Sequence, residues 1–449
     1  MCSILGSNLL KTSYKHLNYH LQLRGPDNTT LIHKDGYGFL HNLLSMTGEI
    51  TPQPFVEDDV ICLYNGEIYN FKDFGNYDSD GKCLIPLYKE HGDKFTKMLD
   101  GEFAIVLFDF KKDKIIISSD IFRTKPLFYS IDNGNFGFST FEQPLLKLGH
   151  KNVCKFPPNT TKVLNSKDLS LINEFSIYEF NLDQYKDSFE DWNMAFQNSI
   201  RKRTEDFSRD IFIGLSSGYD SGGICSELIK QKKPFKAYSV IGTENDEIFR
   251  KRWNLIKESG ISDWEVLPKN NNEAARPFEE YVNKNLEPFK YTISAKCPYT
   301  EMVTYTEHIP IQRDWGTKWL AYVCSKAKKD NRKMYLSGMG ADELFSDYGF
   351  RGERKFHHSN FGGYFPPNLK KIFPWNSFYN STMESYLAKE EYVGGSFGQE
   401  ARYPYLDKLV VQEFLNLTPK LKNSRYKSVI DNYLKENDFP YCEGQKLGF

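Results

Sequence analysis

In the stretch Asp210–Ile229 the hydrophobic pattern changes its period, and this change predicts a strand, a loop and a helix. The apolar run Ile211–Leu215 predicts a short buried parallel strand. Small and polar residues follow it at positions 216–222. Beyond them Ile224 and Leu228 lie four residues apart, which is the spacing of one helix face. The pattern therefore predicts a strand that feeds a polar loop at the start of a helix.

The predicted loop carries hydroxyl groups, glycines and one acid. Backbone N–H groups converge at such a loop and the helix dipole favours negative charge, so this arrangement indicates an anion site. Asp220 would repel a phosphate unless a divalent cation bridges the two, so we expect it to be a Mg²⁺ ligand. Because tight turns with glycine are common, an ordinary turn is the alternative that the residues alone leave open.

Apolar segments elsewhere predict two kinds of sheet. The runs GEFAIVLFD (101–109) and KIIISSD (114–120) are typical of strands that stack in a sandwich. The run FKAYSVIG (235–242) predicts a second strand of a C-terminal sheet, and the charged segment after it predicts a crossover helix. KMYLSGMGADELFSDYG (333–349) predicts a further strand and its loop. From Asp191 onward we therefore expect a doubly wound α/β domain.

One aromatic segment, FGGYFPPNLKKIFPWNSFY (361–379), fits none of these patterns. We interpret it as an insertion or a lid over the pocket of the C-terminal domain, and packing into the core is the alternative.

Composition and charge exclude several classes of protein. The 449 residues are 40% hydrophobic, which is enough for two or three domains with sizeable cores. The balance of 58 basic and 59 acidic residues gives a net charge of −1, so we expect neither a nucleic-acid nor a membrane partner. No apolar run is long enough to span a membrane and no signal peptide precedes Cys2. The 8 scattered cysteines lack metal-ligand spacing and favour a reduced, cytoplasmic protein.

Cys2 is a candidate nucleophile because its small side chain permits removal of Met1. Removal would leave Cys2 with both a thiol and a free α-amine. An α-amine has a pKa near about 8, so it can act as the base for its own nucleophile. A cysteine at this position without any function is the alternative.

Three segments resemble the glutaminase domain of class II glutamine amidotransferases: RGPD (24–27), NGEIYN (65–70) and the SD pair at 79–80. The resemblance implies that Cys2 attacks the amide of glutamine. It implies that Asn65 and Gly66 form the oxyanion hole. It further implies that Glu67 and Asp80 hold the α-amino group of glutamine.

One position departs from this family. The family has an arginine that pairs with the glutamine α-carboxylate where this chain has Leu43. An aliphatic side chain does not satisfy a carboxylate. We expect that Arg24 takes this role, that glutamine binds weakly, or that the donor is a different amide.

The loop LSSGYDS (215–221) resembles the pyrophosphate-binding loop SGG-x-DS of the ATP pyrophosphatase (PP-loop) superfamily, with Ser217 in place of a glycine. LSGMGADELF (336–345) resembles a second segment of the same enzymes. The resemblance implies an ATP site that comprises Leu215, Ser216, Ser217, Gly218, Asp220, Ser221, Val240, Ser337 and Gly338.

The same resemblance implies a metal pair and a catalytic cation. Asp220 and Asp342 would both ligate Mg²⁺, and Lys427, in KNSRYKSVI, would stabilise the adenylation transition state. Met339 stands where asparagine synthetases have a glutamate that assists ammonia. A thioether accepts no proton, so we assign a catalytic role to the nearby Glu343.

Taken together, the chain resembles glutamine-hydrolysing asparagine synthetases as a divergent relative. The resemblance implies an α/β protein with an N-terminal αββα Ntn-hydrolase domain at residues 2–178. A linker at 179–190 and a doubly wound PP-loop synthetase domain at 191–449 would follow.

The implied function is ATP- and Mg²⁺-dependent amide formation. A carboxylate such as that of aspartate is adenylated and then attacked by ammonia, supplied from glutamine or free, in a cytoplasmic enzyme compatible with a homodimer. An amide ligase of the same family with a specialised, non-aspartate substrate is one alternative, suggested by Leu43 and Met339. A non-catalytic relative that keeps the fold is the other.

Overall fold

In a computed structural model of the protein, the described residues are 1–46, 50–205, 211–241, 244–267 and 272–445, without the side chains of 272–275. Asp210 and Gly242, at the ends of two predicted strands, lie outside these ranges. The chain forms two compact units. Unit 1 comprises Met1–Glu179 with Gly394–Glu400, and unit 2 comprises Phe180–Val393 with Ala401–Phe449.

Unit 1 contains two antiparallel sheets. Its described strands are β1 (Ser3–Ser7), β2 (Asn28–Lys34), β3 (Tyr37–Leu43), β4 (Phe55–Glu57), β5 (Val60–Ile68), β6 (Gly101–Asp109), β7 (Lys114–Ser119), β8 (Phe128–Asp132), β9 (Asn135–Ser139), β10 (Val153–Lys155), β11 (Thr160–Asn165) and β12 (Leu171–Ser176). The first six-stranded sheet has the order β10-β8-β9-β1-β3-β2 and the second β12-β11-β7-β6-β5-β4. The predicted strands at 101–109 and 114–120 are confirmed as β6 and β7.

The core of unit 1 follows from the alternation of side chains along its strands. Ile61 and Leu63 of β5 pack with Ile4 of β1 in one buried cluster between the two sheets. Cys62 and Tyr64 point to the opposite face of β5 and belong to a second buried cluster. We call the face of β1, β3 and β5 that carries the first cluster the inner face.

Helices cover the outer faces of both sheets. They are α1 (Lys15–Arg24), α2 (Leu84–His91) and α3 (Glu142–Leu148), with 3₁₀ turns at Phe71–Asp73, Asp80–Cys83 and Gly92–Met98. Leu84 and Tyr88 of α2 pack into the second cluster, whereas α1 contacts β1 and β3 of the first sheet. The predicted four-layer αββα arrangement is confirmed.

Unit 2 is built on a five-stranded sheet. The described strands of this part are β13 (Ile211–Gly214), β14 (Lys236–Val240), β15 (Asp263–Leu267), β16 (Lys290–Lys296), β17 (Val303–Pro310), β18 (Met334–Leu336), β19 (Gly349–Phe350), β20 (Glu353–Arg354) and β21 (Glu400–Arg402). The sheet order is β15-β14-β13-β18-β21, and β13 pairs in parallel with both β14 and β18. The strand order therefore reverses between β13 and β18, where open α/β sheets place their ligand sites.

The helices of unit 2 connect and cover this sheet, as the doubly wound prediction requires. They are α4 (Glu190–Thr204), α5 (Tyr219–Lys230), α6 (Asp246–Ser259), α7 (Asn272–Asn285), α8 (Trp315–Lys329), α9 (Ala341–Phe345), α10 (Asn376–Tyr379), α11 (Thr382–Ser396), α12 (Lys408–Asn416), α13 (Pro419–Lys422) and α14 (Ser428–Glu436), with 3₁₀ turns at Ile311–Arg313, Leu369–Lys371 and Pro404–Leu406. The predicted strand, loop and helix at 211–229 are confirmed as β13 and α5, and the crossover helix as α6.

The aromatic segment 361–379 packs as core. Phe365, Trp375 and Phe378 are at most 2% exposed, and the Trp375 indole donates a hydrogen bond to the Glu343 carbonyl oxygen at 2.8 Å. These buried side chains favour core packing, the alternative to the lid, although Tyr364 of the same segment is exposed.

Two further observations bear on the environment of the protein. Within the described ranges, no helix has both the length and the apolar character needed to cross a bilayer. The eight cysteines are all free thiols.

Candidate active sites

The first candidate site lies at the start of β1 in unit 1. Cys2 directly precedes this strand and is two residues from Ile4, so its side chain points to the inner face. The pairing of Ser3 with Asn42 places Leu43 opposite Cys2, and cross-strand partners share a face. The position that departs from the family arginine therefore lies beside the candidate nucleophile.

Asn65 lies on β5 and projects to the same inner face, two residues beyond Leu63. Its side chain is fully buried, and neither its amide nitrogen nor its oxygen has a hydrogen-bond partner among the described residues. Because buried polar groups are nearly always paired, an unpaired amide here indicates a position kept for a ligand. This observation fits the predicted oxyanion hole.

Gly66 is required by the backbone at this point. Its φ is +145°, a conformation that favours glycine, and an added Cβ would lie 1.9 Å from the Glu102 carbonyl oxygen. Only a residue without a side chain lets β5 and β6 pair next to Asn65.

His41 is a site residue to which the sequence reasoning gave no role. It lies on the inner face of β3, opposite Ile4, and its Nε2 is 3.2 Å from the Tyr64 carbonyl oxygen. Burial lowers the pKa of His41 to about 4, so the imidazole is neutral near pH 7. His41 thus holds the peptide group between Tyr64 and Asn65. The sequence could have indicated its place, because His41 and Leu43 are two residues apart on β3 and therefore share a face.

Acidic side chains gather near this site. Glu67 and Asp80 are each 7% exposed, and Asp80 accepts hydrogen bonds from the Tyr64 hydroxyl at 2.5 Å and the Ile68 amide at 2.9 Å. Burial raises the pKa of Asp80 despite these hydrogen bonds, so a cation bound nearby would favour its charged form. The amine of Met1 lies 3.6 Å from the Glu400 carboxylate. These acids suit the binding of an ammonium group.

The thiol of Cys2 is not activated while Met1 is attached. Burial raises its pKa to about 11, and the thiol lies 3.8 Å from the Leu44 carbonyl oxygen. The nitrogen of Cys2 is then a peptide nitrogen and has no lone pair for proton transfer. Burial lowers the pKa of the Met1 amine to about 6 despite the nearby Glu400 carboxylate, so these surroundings favour a neutral amine near pH 7.

The structure places Arg24 beside residues 1 and 2, and its assignment to the donor carboxylate stays a prediction. Its guanidinium is fully buried, donates from Nε to the Cys2 carbonyl oxygen at 3.0 Å and lies 3.1 Å from the Met1 sulfur. Two of its nitrogens thus contact residues 1 and 2, so Arg24 helps to position the backbone of the candidate nucleophile.

The second candidate site lies in unit 2, in the loop between β13 and α5. Leu215 and Val240, at the ends of β13 and β14, are buried, and the hydroxyls of the loop bond within it. Ser221 Oγ accepts from the Ser216 amide at 3.0 Å, and Ser216 Oγ accepts from the Gly218 amide at 3.1 Å. These bonds give the loop a defined shape without a ligand.

Two residues of the α6 region, both outside the predicted site, bind this loop. Arg252 is fully buried and donates to the carbonyl oxygens of Ser216 and Gly218, the latter at 2.8 Å. Glu244 accepts from the Ser217 amide at 2.6 Å and from its hydroxyl. Neither residue belongs to a recognised sequence motif. Both reach the loop from the connection that follows β14, which is distant from the loop in sequence.

Asp220, Asp342 and Lys427 meet at one point, as predicted. The Lys427 ammonium lies 2.6 and 2.7 Å from the two carboxylate oxygens of Asp220 and 2.9 Å from Asp342 Oδ1. Burial alone would lower the pKa of Lys427, but the two carboxylates raise it well above its usual value. The side chains of Asp220 and Asp342 remain 25% and 16% exposed, so a ligand can reach them.

Asp220 and Asp342 both approach the Lys427 ammonium. Two carboxylates this close together could also bind a divalent metal, which would take further oxygen ligands from a nucleotide. In the described part of the chain, no group of three or more His, Cys, Asp or Glu residues is placed to hold a metal. The pair therefore provides a partial coordination shell, which phosphate oxygens and water would complete.

The two loops are in direct contact. A Cβ on Gly338 would lie 2.9 Å from the Asp220 Cβ, so only glycine allows this approach. The neighbouring Ser337 is 1% exposed, and its hydroxyl accepts from the Met339 amide at 3.0 Å. The predicted ATP residues of both loops thus form one continuous site at the switch point of the sheet.

Glu343 does not replace the carboxylate that is missing at Met339, and this assignment is corrected. Glu343 is 1% exposed and accepts a hydrogen bond from Tyr348, because it follows Asp342 on α9 and points to the interior. Glu390 instead contacts the loop: its Oε1 accepts from the Ser337 hydroxyl at 2.8 Å. Its buried Oε2 has no partner among the described residues, and burial raises its pKa to about 7.

Comparison with known proteins identifies a family for each of the two parts of the chain. Residues 1–155 match the family model of a glutamine amidotransferase domain, and residues 191–377 match that of asparagine synthase. A putative glutamine-hydrolyzing asparagine synthetase of Methanocaldococcus jannaschii is 27% identical, over 94% of this chain and 82% of its own length. A probable glutamine-hydrolyzing asparagine synthetase of Schizosaccharomyces pombe is 26% identical, over 94% of this chain and 77% of its own length.

Among solved structures, a glutamine phosphoribosylpyrophosphate amidotransferase from B. subtilis, complexed with ADP and GMP, is 10% identical. It covers 91% of this chain and 92% of its own length with a TM-score of 0.33, a value too low to establish a shared fold. The two matched domains and the similarity along nearly the whole chain show that this protein is a divergent member of the asparagine synthetase family.

Proposed function

We propose that this protein is an ATP-dependent, glutamine-hydrolysing amide synthetase. The observation that carries the proposal is the meeting of Asp220, Asp342 and Lys427 at the carboxyl ends of β13 and β18. Two acids and one lysine around a loop of backbone amides suit the binding and cleavage of a nucleoside triphosphate. ATP and a carboxylate would give an acyl-adenylate and pyrophosphate, and ammonia would displace AMP to form the amide.

In the first half of the reaction, the chain's own residues hydrolyse an amide. After removal of Met1, the Cys2 α-amine takes the thiol proton, and the sulfur attacks the amide carbon of glutamine. Asn65 and Gly66 donate to the oxyanion that forms, while Glu67 and Asp80 hold the α-ammonium group. Ammonia leaves, and water then hydrolyses the thioester to glutamate.

In the second half, the loop Ser216–Ser221 with Ser337 and Gly338 holds the nucleotide. Asp220 and Asp342 would hold Mg²⁺, which, when bound, neutralises charge on the phosphates. Lys427 donates to the oxygens that gain charge as pyrophosphate leaves. Glu390, which accepts a hydrogen bond from Ser337 two residues before Met339, is the candidate for the carboxyl group that Met339 does not supply.

The test is product identity. Purified protein with ATP, Mg²⁺, aspartate and glutamine should form asparagine, glutamate, AMP and pyrophosphate in equal amounts. ADP and phosphate as products would contradict the proposal, because they require attack at a different phosphorus atom.

Leu43 and Met339 favour a second candidate, an amide ligase of the same family with a specialised substrate. Leu43 lies beside Cys2 and offers no charge to a donor carboxylate. Screening carboxylic acids by pyrophosphate release separates the candidates, since full activity with aspartate argues against the second. Leu43→Arg should raise ammonia release from glutamine, with Leu43→Met as the matched control.

The remaining assignments are proposals of the same kind. We propose domains at 2–178 and 191–449 with a linker at 179–190, a cytoplasmic location supported by the free cysteines, and a homodimer to be tested by light scattering.

A further inference from the structure

The loop between β13 and α5 already contains a carboxylate. One oxygen of Glu244, Oε2, accepts both the backbone N–H and the hydroxyl of Ser217. Ser217 is itself fully buried, and its Oγ also accepts the backbone N–H of Asn245 at 3.1 Å. Glu244 therefore occupies a position at which an anion receives two converging donors.

Arg252 sets the direction of the loop's peptide groups. Its guanidinium binds the carbonyl oxygens of Ser216 and Gly218. In a trans peptide the C=O and the following N–H point in opposite directions. The N–H groups of Ser217 and Tyr219 therefore point away from the guanidinium, and Glu244 binds the first of them.

With the Glu244 carboxylate bound, few backbone N–H groups of the loop remain for a second anion. The Ser216 amide bonds to Ser221 and the Gly218 amide bonds to Ser216 Oγ. The Ser217 amide is taken by Glu244. A phosphate that uses this amide must displace the carboxylate, since two anions repel each other at one donor.

We propose that Glu244 is an internal ligand of this loop that competes with the phosphates of ATP and so sets nucleotide affinity. This inference rests on the proposed function, because it takes the loop as the nucleotide site. Ser217 strengthens the competition, since a glycine at this position would offer the N–H without the hydroxyl. Nucleotide binding would therefore be coupled to release of Glu244 from the loop.

The test compares variants by direct binding of ATP and of pyrophosphate alone, measured by calorimetry. Glu244→Gln removes the charge and keeps the shape, and Ser217→Gly removes the hydroxyl. The matched control is Glu247→Gln, which changes an exposed acid on the first turn of α6 that pairs with Lys251. Pyrophosphate is included because it probes the phosphate position without adenosine.

We expect Glu244→Gln to bind both probes about tenfold more tightly than the unchanged protein, the size of one charged hydrogen bond. Ser217→Gly should bind them a few-fold more tightly, and Glu247→Gln should leave both affinities unchanged. The double variant should match Glu244→Gln, because the hydroxyl acts through the carboxylate.

Two results would overturn the inference, and they can be told apart. If the unchanged protein binds ATP and neither variant binds it more tightly, the competition is wrong while the proposed function stands. If no protein of the set binds either probe, the nucleotide site itself is wrong and the proposed function fails with it. Should Glu244→Gln not fold, as judged by circular dichroism, Ser217→Gly decides alone.

Discussion

Lys427 donates to both carboxylate oxygens of Asp220, at 2.6 and 2.7 Å, from a position that is only 3% exposed. A buried ammonium between two acids neutralises them and also lies next to the predicted position of the triphosphate. The same residue would therefore keep the two acids together and stabilise charge on the leaving pyrophosphate.

Replacement of this ammonium should abolish adenylation. We expect Lys427→Met to lower ATP–pyrophosphate exchange by about 10²–10³-fold, the usual loss for one donor to a transition-state oxyanion. Ammonia release from glutamine serves as the folding check and should persist. Lys420→Met, at an exposed lysine of α13, is the matched control. Normal exchange by Lys427→Met would contradict the assignment.

Removal of metal should separate the two half-reactions. The acids that suit Mg²⁺ lie in unit 2, whereas the proposed amide hydrolysis by Cys2 and Asn65 in unit 1 needs no metal. With excess chelator, exchange should stop and ammonia release should continue at its former rate. Loss of both activities, or of neither, would show that the metal has been placed wrongly.

Asn65 should contribute to amide hydrolysis alone. Asn65→Ala removes the unpaired buried amide, and we expect ammonia release to fall by about 10²–10³-fold. Amide synthesis from free ammonia should be unaffected. Asn152→Ala, at an exposed position of the same unit, is the control. A similar loss with both ammonia sources would instead indicate a folding defect.

The reactivity of Cys2 should report whether Met1 is present. With Met1 retained, the thiol pKa of about 11 means that the thiolate fraction rises about tenfold per pH unit between pH 7 and 9. Alkylation of Cys2 by iodoacetamide, followed by peptide mass spectrometry, should rise with the same slope. Once Met1 is removed, the neighbouring amine should flatten this profile and ammonia release should appear. Equal profiles for the two forms would argue against the α-amine as base.

Glu390 should make stability depend on pH. Its pKa in the folded protein is raised by burial from 4.5 to about 7, so the folded state holds this proton more tightly than the unfolded state. The stabilisation is therefore complete below about pH 4.5 and is lost as the pH rises through about 7. Denaturant melts should show that Glu390→Gln reduces this fall in the free energy of unfolding, to which buried Asp120 and Asp347 also contribute because burial raises the pKa of each to about 6. The exposed control Glu353→Gln should leave the fall unchanged. An unchanged fall in the Glu390 variant would mean that another group titrates.

Several features of the fold could be predicted because they depend on local pattern. The apolar runs that became β6, β7, β13 and β14 are short and uninterrupted, and the change of period after Leu215 located α5. Asp220 and Lys427 are 207 residues apart, and their contact could be predicted only from the resemblance of motifs. Such a resemblance identifies residues that act together without giving their geometry.

Other contacts carry no sequence signal. Glu244 reaches Ser217 across 27 residues, and Glu390 reaches Ser337 across 53. Each of these acids lies on a polar stretch where an exposed side chain is the ordinary expectation. Arg24 is the reverse case: an arginine near a glutamine site suggests a carboxylate partner, whereas the structure shows one of its bonds to the backbone of Cys2 within the chain.

The contact of Gly338 with Asp220 has a consequence for how this protein could change. The separation of the two loops is set by main-chain approach, with 2.9 Å between an added Cβ and the Asp220 Cβ. Any larger residue at 338 would have to displace Asp220, one of the two acids proposed to hold the metal. A single substitution at 338 would therefore alter the proposed metal site without changing either acid.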